Sequence, residues 1–249
     1  MDDYPHYPTA VGYMTEAIRR RYIEHAVPLG FLPAQAHRMA QIVSLCAAND
    51  VSKPILFWQL YSVLGSERIR ALVRRFYARV FADEHWFRSV FERVGPLDHH
   101  VMTQSAMWID VFGGGMTYHG GEYRLRFHHH HNAMSLMNQR GAERWVALMA
   151  ETLDDPGTDF TSDSRVRPAV NTFLSFFMGK YAEDFGFENQ YSFGETNPPW
   201  KRTINFLNMS EAEIEALSDH EIKHALIARG VDISGYRNKR EMINKALRF

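Results

Sequence analysis

The sequence predicts an all-α fold, and three observations support this prediction. Apolar residues recur at intervals of three and four over several long segments, the spacing that lines one face of a helix. No segment alternates apolar and polar residues in the way that indicates a half-buried strand. Glycine and proline clusters, such as GGG at 113–115 and PP at 198–199, interrupt the periodic segments. We therefore expect a helical body whose elements are separated by short breaks.

The clearest amphipathic segment lies at residues 67–81, directly after Ser66, a residue type that favours helix N-caps. The side chains of its apolar face recur one helical turn apart: Ile69, Leu72, Val73, Phe76, Tyr77, Val80 and Phe81. The same spacing predicts helices at 101–112, 143–153 and 166–181, shorter ones at 10–25 and 33–48, and two pieces within 211–249.

Composition excludes several functional classes. The 249 residues include 28 basic and 29 acidic ones, so no overall charge attracts nucleic acid or an anionic membrane. A single cysteine, Cys46, excludes an intrachain disulfide, and the N-terminus does not resemble a signal peptide. Both features favour an intracellular, reducing compartment. The longest apolar runs are far shorter than the roughly 20 residues that span a bilayer, so we expect no membrane span.

Three polar side chains stand on helix faces that would otherwise be core. Tyr77 lies in the middle of an apolar stripe, so its hydroxyl needs a partner. His100 and Gln104 are four residues apart and share one helix face with apolar neighbours. Burying such groups is costly unless they contact each other, water or a ligand. They therefore either form an internal polar site or lie in solvent at the rim of the fold.

Four consecutive histidines, His128 to His131, raise a separate question. The run is a solvated polar turn, a transition-metal tract, or the source of one imidazole with a specific role. Consecutive residues on a turn or helix point in different directions, so only one or two of these imidazoles can face a single ion.

Four segments together resemble the truncated haemoglobins in their order and approximate spacing. They are LYSVLGSERIRALVRRFYARVFAD at 60–83, FGGGMTY at 112–118, RLRFHHHH at 124–131 and AERWVALM at 142–149. The position of Trp145 makes the chain most similar to the second group of that family. The resemblance covers about residues 58–185. It implies a truncated-globin-like helical sandwich that encloses haem, an iron protoporphyrin, and binds a diatomic gas ligand.

The resemblance also implies roles for individual residues. His131 would be the iron ligand, because it lies thirteen residues after Tyr118 and HNAMSL is similar to the family pattern. Matching RLRF instead would select His129, since this sequence carries about two extra residues here. The other cofactor-binding positions are the residues implied around the vacant side of the iron, with one aromatic ring against the haem plane: Tyr77, His100, Gln104, Trp145 and Phe91.

Two further alternatives and one departure from the family pattern stay open at this stage. Phe87 is an alternative to Phe91, because the sequence carries one extra residue before that position. His100 is also a candidate for the sixth iron position when no gas is bound. Gly115 stands where the family usually has proline, which would loosen the pocket.

Four parts are expected along the chain. They are an N-terminal helical extension at 1–57, the truncated-globin-like domain at 58–185, an extended connector at 186–208 and a small helical module at 209–249. Residues 217–247 resemble a SAP-like helix–loop–helix. Acidic residues offset its basic ones, so nucleic-acid binding is not expected. Exposed aromatics of the connector, Tyr191, Phe193 and Trp200, are suited to contact a protein partner.

Two functions follow from these expectations. The first is a haem protein that binds oxygen or another diatomic ligand at iron, with haem-dependent redox chemistry or nitric-oxide dioxygenation as its only candidate enzymatic activities. The second is a globin-derived structural or accessory subunit of a larger assembly, with or without haem. In both cases protein partners are expected to dock on residues 1–57 and 186–249.

Overall fold

Eight α-helices precede Pro199 and three follow it within the residues that the computed structural model describes, which are 6–189, 192–200 and 204–249. In the first part the helices are α1 Tyr13–Ala26, α2 Ala40–Val43, α3 Leu60–Ala82, α4 His85–Val94, α5 Leu97–Val111, α6 Gly121–Phe127, α7 Gln139–Asp154 and α8 Val166–Phe185. In the second part they are α9 Glu211–Glu215, α10 Asp219–Ile227 and α11 Lys239–Ala246.

The predicted all-α fold class is confirmed. The described residues contain no strand, and their one sheet-like contact is an isolated bridge between Ala10 and Gly114. None of the described helices combines the length and the apolarity that crossing a bilayer requires. The chain divides into two compact units, Met1–Pro199 and Trp200–Phe249.

Helix α3 is the central element of the first unit and packs against α5, α7 and α4. The sequence predicted its start at Glu67, directly after Ser66, whereas the helix begins at Leu60 and bends at Gly65. Gly65 has φ 65° and ψ 179°, a left-handed conformation that side-chain-bearing residues rarely adopt. The ring of Tyr7 also lies within 2.6 Å of the place where a Cβ atom would stand. A side chain at position 65 would therefore strain the bend.

The N-terminal helix α1 packs onto the same unit through a buried carboxylate on α5. Thr15 Oγ1 donates a hydrogen bond of 3.3 Å to Asp110 Oδ1, and Asp110 is fully buried. Gly12 precedes the helix, and a Cβ atom there would lie 1.5 Å from that same oxygen. A negative group at a helix N-terminus is favourable because the first N–H groups have no partner within the helix. Asp110 thus attaches α1 to the body.

The helix predicted at 33–48 is reduced to a 3-10 turn, Ala36–Arg38, and the single turn of α2. Side chains from the following segment take the carbonyl groups that a longer helix would use. Trp58 Nε1 donates to the carbonyl of Ile42 at 2.9 Å, and Gln59 Nε2 donates to the carbonyls of Gln41 and Ser44 at 3.1 Å each. Tertiary hydrogen bonds here override the local helical pattern.

Part of the predicted connector lies against the first unit. Asn171 Nδ2 donates to the carbonyl of Glu195 at 2.7 Å, and the Asn197 backbone N–H donates to Thr172 Oγ1 at 2.8 Å. Phe193 is buried, with 2% of its surface exposed. Tyr191, which was expected to be an exposed aromatic of the connector, lies outside the described residues.

The second unit has a hydrophobic core of its own. This core consists of apolar side chains from all three helices, the segment before them and the turn between α9 and α10: Ile204, Phe206, Ile214, Leu217, Ile222, Ala225, Leu226, Ile243 and Ala246. Capping boxes start two of these helices, with Ser210 and Glu213 at α9 and Ser218 and Glu221 at α10. Three helices thus stand where the sequence predicted two helical pieces.

Candidate functional site

A cavity that is partly open to solvent lies among the helices of the first unit. Most of its lining is apolar, including Phe87 and Phe91 of α4 and Phe177 of α8. Its polar or indole-bearing lining residues come from five different segments: Tyr77, Gln104, His128, His129, Trp145 and Tyr181.

The histidine run forms a single π-helical turn, His128–Asn132, that follows α6 directly. The turn is closed by the N–H of Ala133, which donates to the carbonyl of His128 at 3.0 Å. Such wide turns are rare and occur frequently at functional sites. In this turn His128 and His129 line the cavity, whereas His130 and His131 are exposed.

His129 is held by a hydrogen bond of 2.9 Å between its Nδ1 atom and the carbonyl oxygen of Leu125. A carbonyl only accepts, so Nδ1 carries the proton and the lone pair of the neutral ring is on Nε2. Burial is the largest influence on its pKa, which lies at about 3, so the ring is neutral at pH 7. The ring of Tyr181 packs beside it at a centroid distance of 4.4 Å. His129 therefore offers a neutral nitrogen from the cavity wall.

His131 makes the same local contact in different surroundings. Its Nδ1 atom bonds the carbonyl of Phe127 at 3.0 Å, and its ring stacks on the Phe127 ring at 4.1 Å. Both side chains are exposed, and His131 is not among the residues that line the cavity. The structure thus places the residue expected to bind iron at the surface, two positions after His129, which does line the cavity.

Tyr77 lines the cavity and is buried, with 6% of its surface exposed. Its hydroxyl makes no hydrogen bond to any described residue. Burial raises the pKa of Tyr77 well above its ordinary value, so the hydroxyl stays protonated and can donate. The ring is fixed between His100, stacked at 5.2 Å, and the edge of Phe91 at 6.0 Å.

His100 is buried behind Tyr77 and is not a lining residue. A hydrogen bond of 2.9 Å joins its Nε2 atom to the carbonyl of Phe91. Burial lowers the pKa of His100, so the neutral ring donates through Nε2 to that carbonyl. His100 therefore connects α5 to α4 and supports the Tyr77 ring from behind.

Gln104 and Trp145 line the cavity from α5 and α7. The Trp145 ring is half-buried and contacts Phe76 at 5.0 Å and Phe193 at 6.3 Å. The connector residue Phe193 thus packs on the outer side of a cavity wall. Phe87 and Phe91, the two alternatives for the ring expected to pack against the haem plane, both line the cavity.

Two polar lining residues, His128 and Tyr181, were not predicted from the sequence to belong to the site. Burial lowers the pKa of His128 to about 4, with His100 and Arg124 as weaker causes. Burial also raises the pKa of Tyr181. The apolar stripe of α8 pointed to the position of Tyr181, since it continues from Phe173 and Phe177 by one further turn.

Comparison with protein families matches residues 59–178 to a model described as a bacterial-like globin. Comparisons with curated proteins and with solved structures gave no match. The matched range runs from just before α3 into α8 and contains the lining residues discussed above except Tyr181. Residues 59–178 of this chain are a bacterial-like globin domain.

Proposed function

We propose that this domain binds haem and uses it to bind oxygen or another diatomic gas. The observation that carries the proposal is the His129 imidazole, which is neutral, tied through Nδ1 to a backbone carbonyl and located on the cavity wall. Metal-binding histidines characteristically donate their second ring N–H to such a carbonyl, because this bond fixes both tautomer and orientation. The mostly apolar lining suits a large, flat, mostly apolar group.

We assign iron ligation to His129 and not to His131, the residue favoured by the sequence. His131 has an equivalent backbone hydrogen bond, but its ring is exposed and stacks on Phe127. His129 lies beside Tyr181, a lining residue whose ring limits the rotation of the imidazole. In this assignment, the roughly two extra residues that the sequence carries in the histidine run lie after the iron ligand.

When bound, haem would supply an iron atom at which the gas binds and becomes partly negative. The chain's own contribution is a set of hydrogen-bond donors at the cavity. The Tyr77 hydroxyl is available because it is protonated and makes no bond to a described residue. The Gln104 amide and the Trp145 indole are further donors from separate helices. In a cavity of low polarity, such donors slow the dissociation of a bound polar ligand.

His100 supports this site without entering it in our proposal. Its Nε2 atom already bonds the Phe91 carbonyl, and its ring lies behind Tyr77. Reaching the sixth iron position would break that bond and displace Tyr77. We therefore propose that His100 positions Tyr77, in preference to the sixth-ligand role considered from the sequence.

The finer resemblances stay predictions. The lining position of Trp145 supports membership of the second truncated-haemoglobin group. The SAP-like nature of the second unit is supported by its short capped helices around a small core. That unit also favours the accessory role as a second candidate function, because it has its own core and lies outside the family match.

Haem reconstitution tests the proposal. Hemin added to the purified protein should give one equivalent of complex with a sharp Soret band, and the reduced form should shift that band on addition of carbon monoxide. A titration without a stoichiometric end point would contradict haem binding. Bound haem that does not respond to carbon monoxide, cyanide or oxygen would contradict the gas-binding part.

A further inference from the structure

Residues 220–224 of the second unit read HEIKH, two histidines four positions apart on a helix. This spacing puts both imidazoles on one helix face, an arrangement that zinc-binding helices use. In the structure both lie on α10, with ring centroids 4.2 Å apart and ring planes 39° apart. Two nitrogen donors thus stand next to each other on one helical turn.

Both imidazoles are available to a ligand. His220 and His224 are exposed, and neither makes a hydrogen bond or an ion pair with a described residue. The opposite face of α10 is fixed in the core of the unit by Ile222, Ala225 and Leu226. The helix therefore presents the pair outwards, and exposed side chains adjust their rotamers at little cost.

HEIKH also matches the HExxH pattern of zinc proteases, in which the glutamate acts as the general base. Glu221 has a different role here. Glu221 Oε2 accepts hydrogen bonds of 2.7 Å from both the backbone N–H and the Oγ of Ser218, which completes the capping box. A general base would need that carboxylate to face a metal-bound water. The described residues also contain no third metal-binding side chain beside the pair. The arrangement therefore fits metal binding without hydrolysis.

We propose that His220 and His224 form a two-histidine site for a divalent transition metal ion such as Zn²⁺. Neutral imidazole suits zinc, copper and nickel, whereas Mg²⁺ and Ca²⁺ prefer oxygen donors. Zinc is usually four-coordinate, so the pair leaves positions for water. A bound ion bridges one turn of a helix that has only nine residues and so stabilises it. The site lies outside the globin domain and does not depend on haem.

Zinc titration of the full-length, untagged protein tests this inference. Calorimetry should show a Zn²⁺ isotherm for the wild type that is lost in both His220→Ala and His224→Ala. Alanine favours helix at exposed positions, so both variants should keep the wild-type circular dichroism spectrum. His25→Ala is the matched control, because His25 is an exposed histidine near the end of α1 with Arg21, not a second histidine, one turn before it. It should leave the isotherm unchanged.

The exposed part of the histidine run is the competing explanation. The double variant His130→Ala/His131→Ala should retain the isotherm that the α10 variants lose. If that double variant abolishes Zn²⁺ binding while His220→Ala and His224→Ala bind normally, the inference is overturned. It is also overturned if each α10 variant loses no more affinity than His25→Ala, since the histidines then act as independent surface groups.

Discussion

The two sides of the histidine turn differ in surroundings and not in local bonding. His129 and His131 each bond a backbone carbonyl four residues earlier, at 2.9 and 3.0 Å. Only His129 lies on the cavity wall, where burial holds its pKa at about 3. A backbone hydrogen bond can orient an imidazole, but only a position on the cavity wall puts its free nitrogen where a ligand in the cavity could reach it. Identical residues two positions apart therefore have different chemistry.

The largest expected effect separates these two residues directly. His129→Ala should abolish the Soret band of hemin-reconstituted protein, because His128, the other imidazole on the cavity wall, has no bond to a described backbone carbonyl that would orient its ring. His131→Ala is the matched control and should retain the band with unchanged stoichiometry. The reverse pattern, measured by absorption, would restore His131 as the iron ligand.

A second effect extends the contrast of buried and exposed groups to carboxylates. Burial raises the pKa of Asp110 to about 6, against hydrogen bonds from Thr15 and Met14. The folded state then holds this proton more tightly than the unfolded one, so the stability it contributes is present below pH 4 and lost by about pH 6. As the pH rises from 4 to 7, the free energy of unfolding of Asp110→Asn, measured in urea, should increase by about 2 to 3 kcal/mol relative to that of the wild type.

The control for this prediction is an exposed carboxylate with the opposite shift. Hydrogen bonds from Ser52 lower the pKa of Asp50, so its contribution is present at neutral pH and lost on acidification. Asp50→Asn should therefore show a small change of opposite sign over the acid range. Parallel pH profiles for Asp110→Asn and wild type would show that Asp110 is not protonated more readily in the folded state.

A third effect concerns the donors of the cavity. Tyr77→Phe should speed dissociation of oxygen from the reduced haem protein roughly two- to tenfold, the equivalent of one net hydrogen bond. Tyr22→Phe is a suitable control, because Tyr22 is partly buried in the same unit against Phe57 and Trp58 and does not line the cavity. Equal stopped-flow rates for Tyr77→Phe and wild type would remove Tyr77 from the ligand site.

The smallest expected effect is on the stability of the solvent side of the turn. His131→Ala should change the free energy of unfolding of the haem-free protein by less than about 0.5 kcal/mol, as is usual for exposed positions. A loss of several kcal/mol in chemical denaturation would mean that the stacking of His131 on Phe127 holds the turn in place.

Much of the helical body was predictable because long apolar stripes are a strong signal. Four periodic segments correspond to α3, α5, α7 and α8, although each helix is longer at one or both ends. Tyr77, Gln104 and Trp145 were expected at an internal site and do line the cavity. Helix α4 was not predicted from periodicity, although Phe87, Val90 and Phe91 already have helical spacing.

Which histidines of the run face the cavity was not predictable in the same way. Consecutive helical residues point about 100° apart, so His129 and His131 face nearly opposite directions, and a shift of the helical register by two residues exchanges them. The π turn closed by Ala133 sets that winding, and four identical residues carry no pattern that reveals it. The helix predicted at 33–48 was wrong for a related reason, because the side chains of Trp58 and Gln59, which lie outside that segment, donate hydrogen bonds to its carbonyl groups.

Chemical rescue is the most direct test of the central claim that the His129 nitrogen binds haem iron. His129→Gly removes the imidazole and leaves space for a free one at the same place. We expect the variant to lose the Soret band and to regain it on addition of millimolar imidazole, whereas His131→Gly shows the wild-type band without any addition. A His129→Gly protein that keeps the wild-type spectrum in the absence of imidazole would contradict the claim.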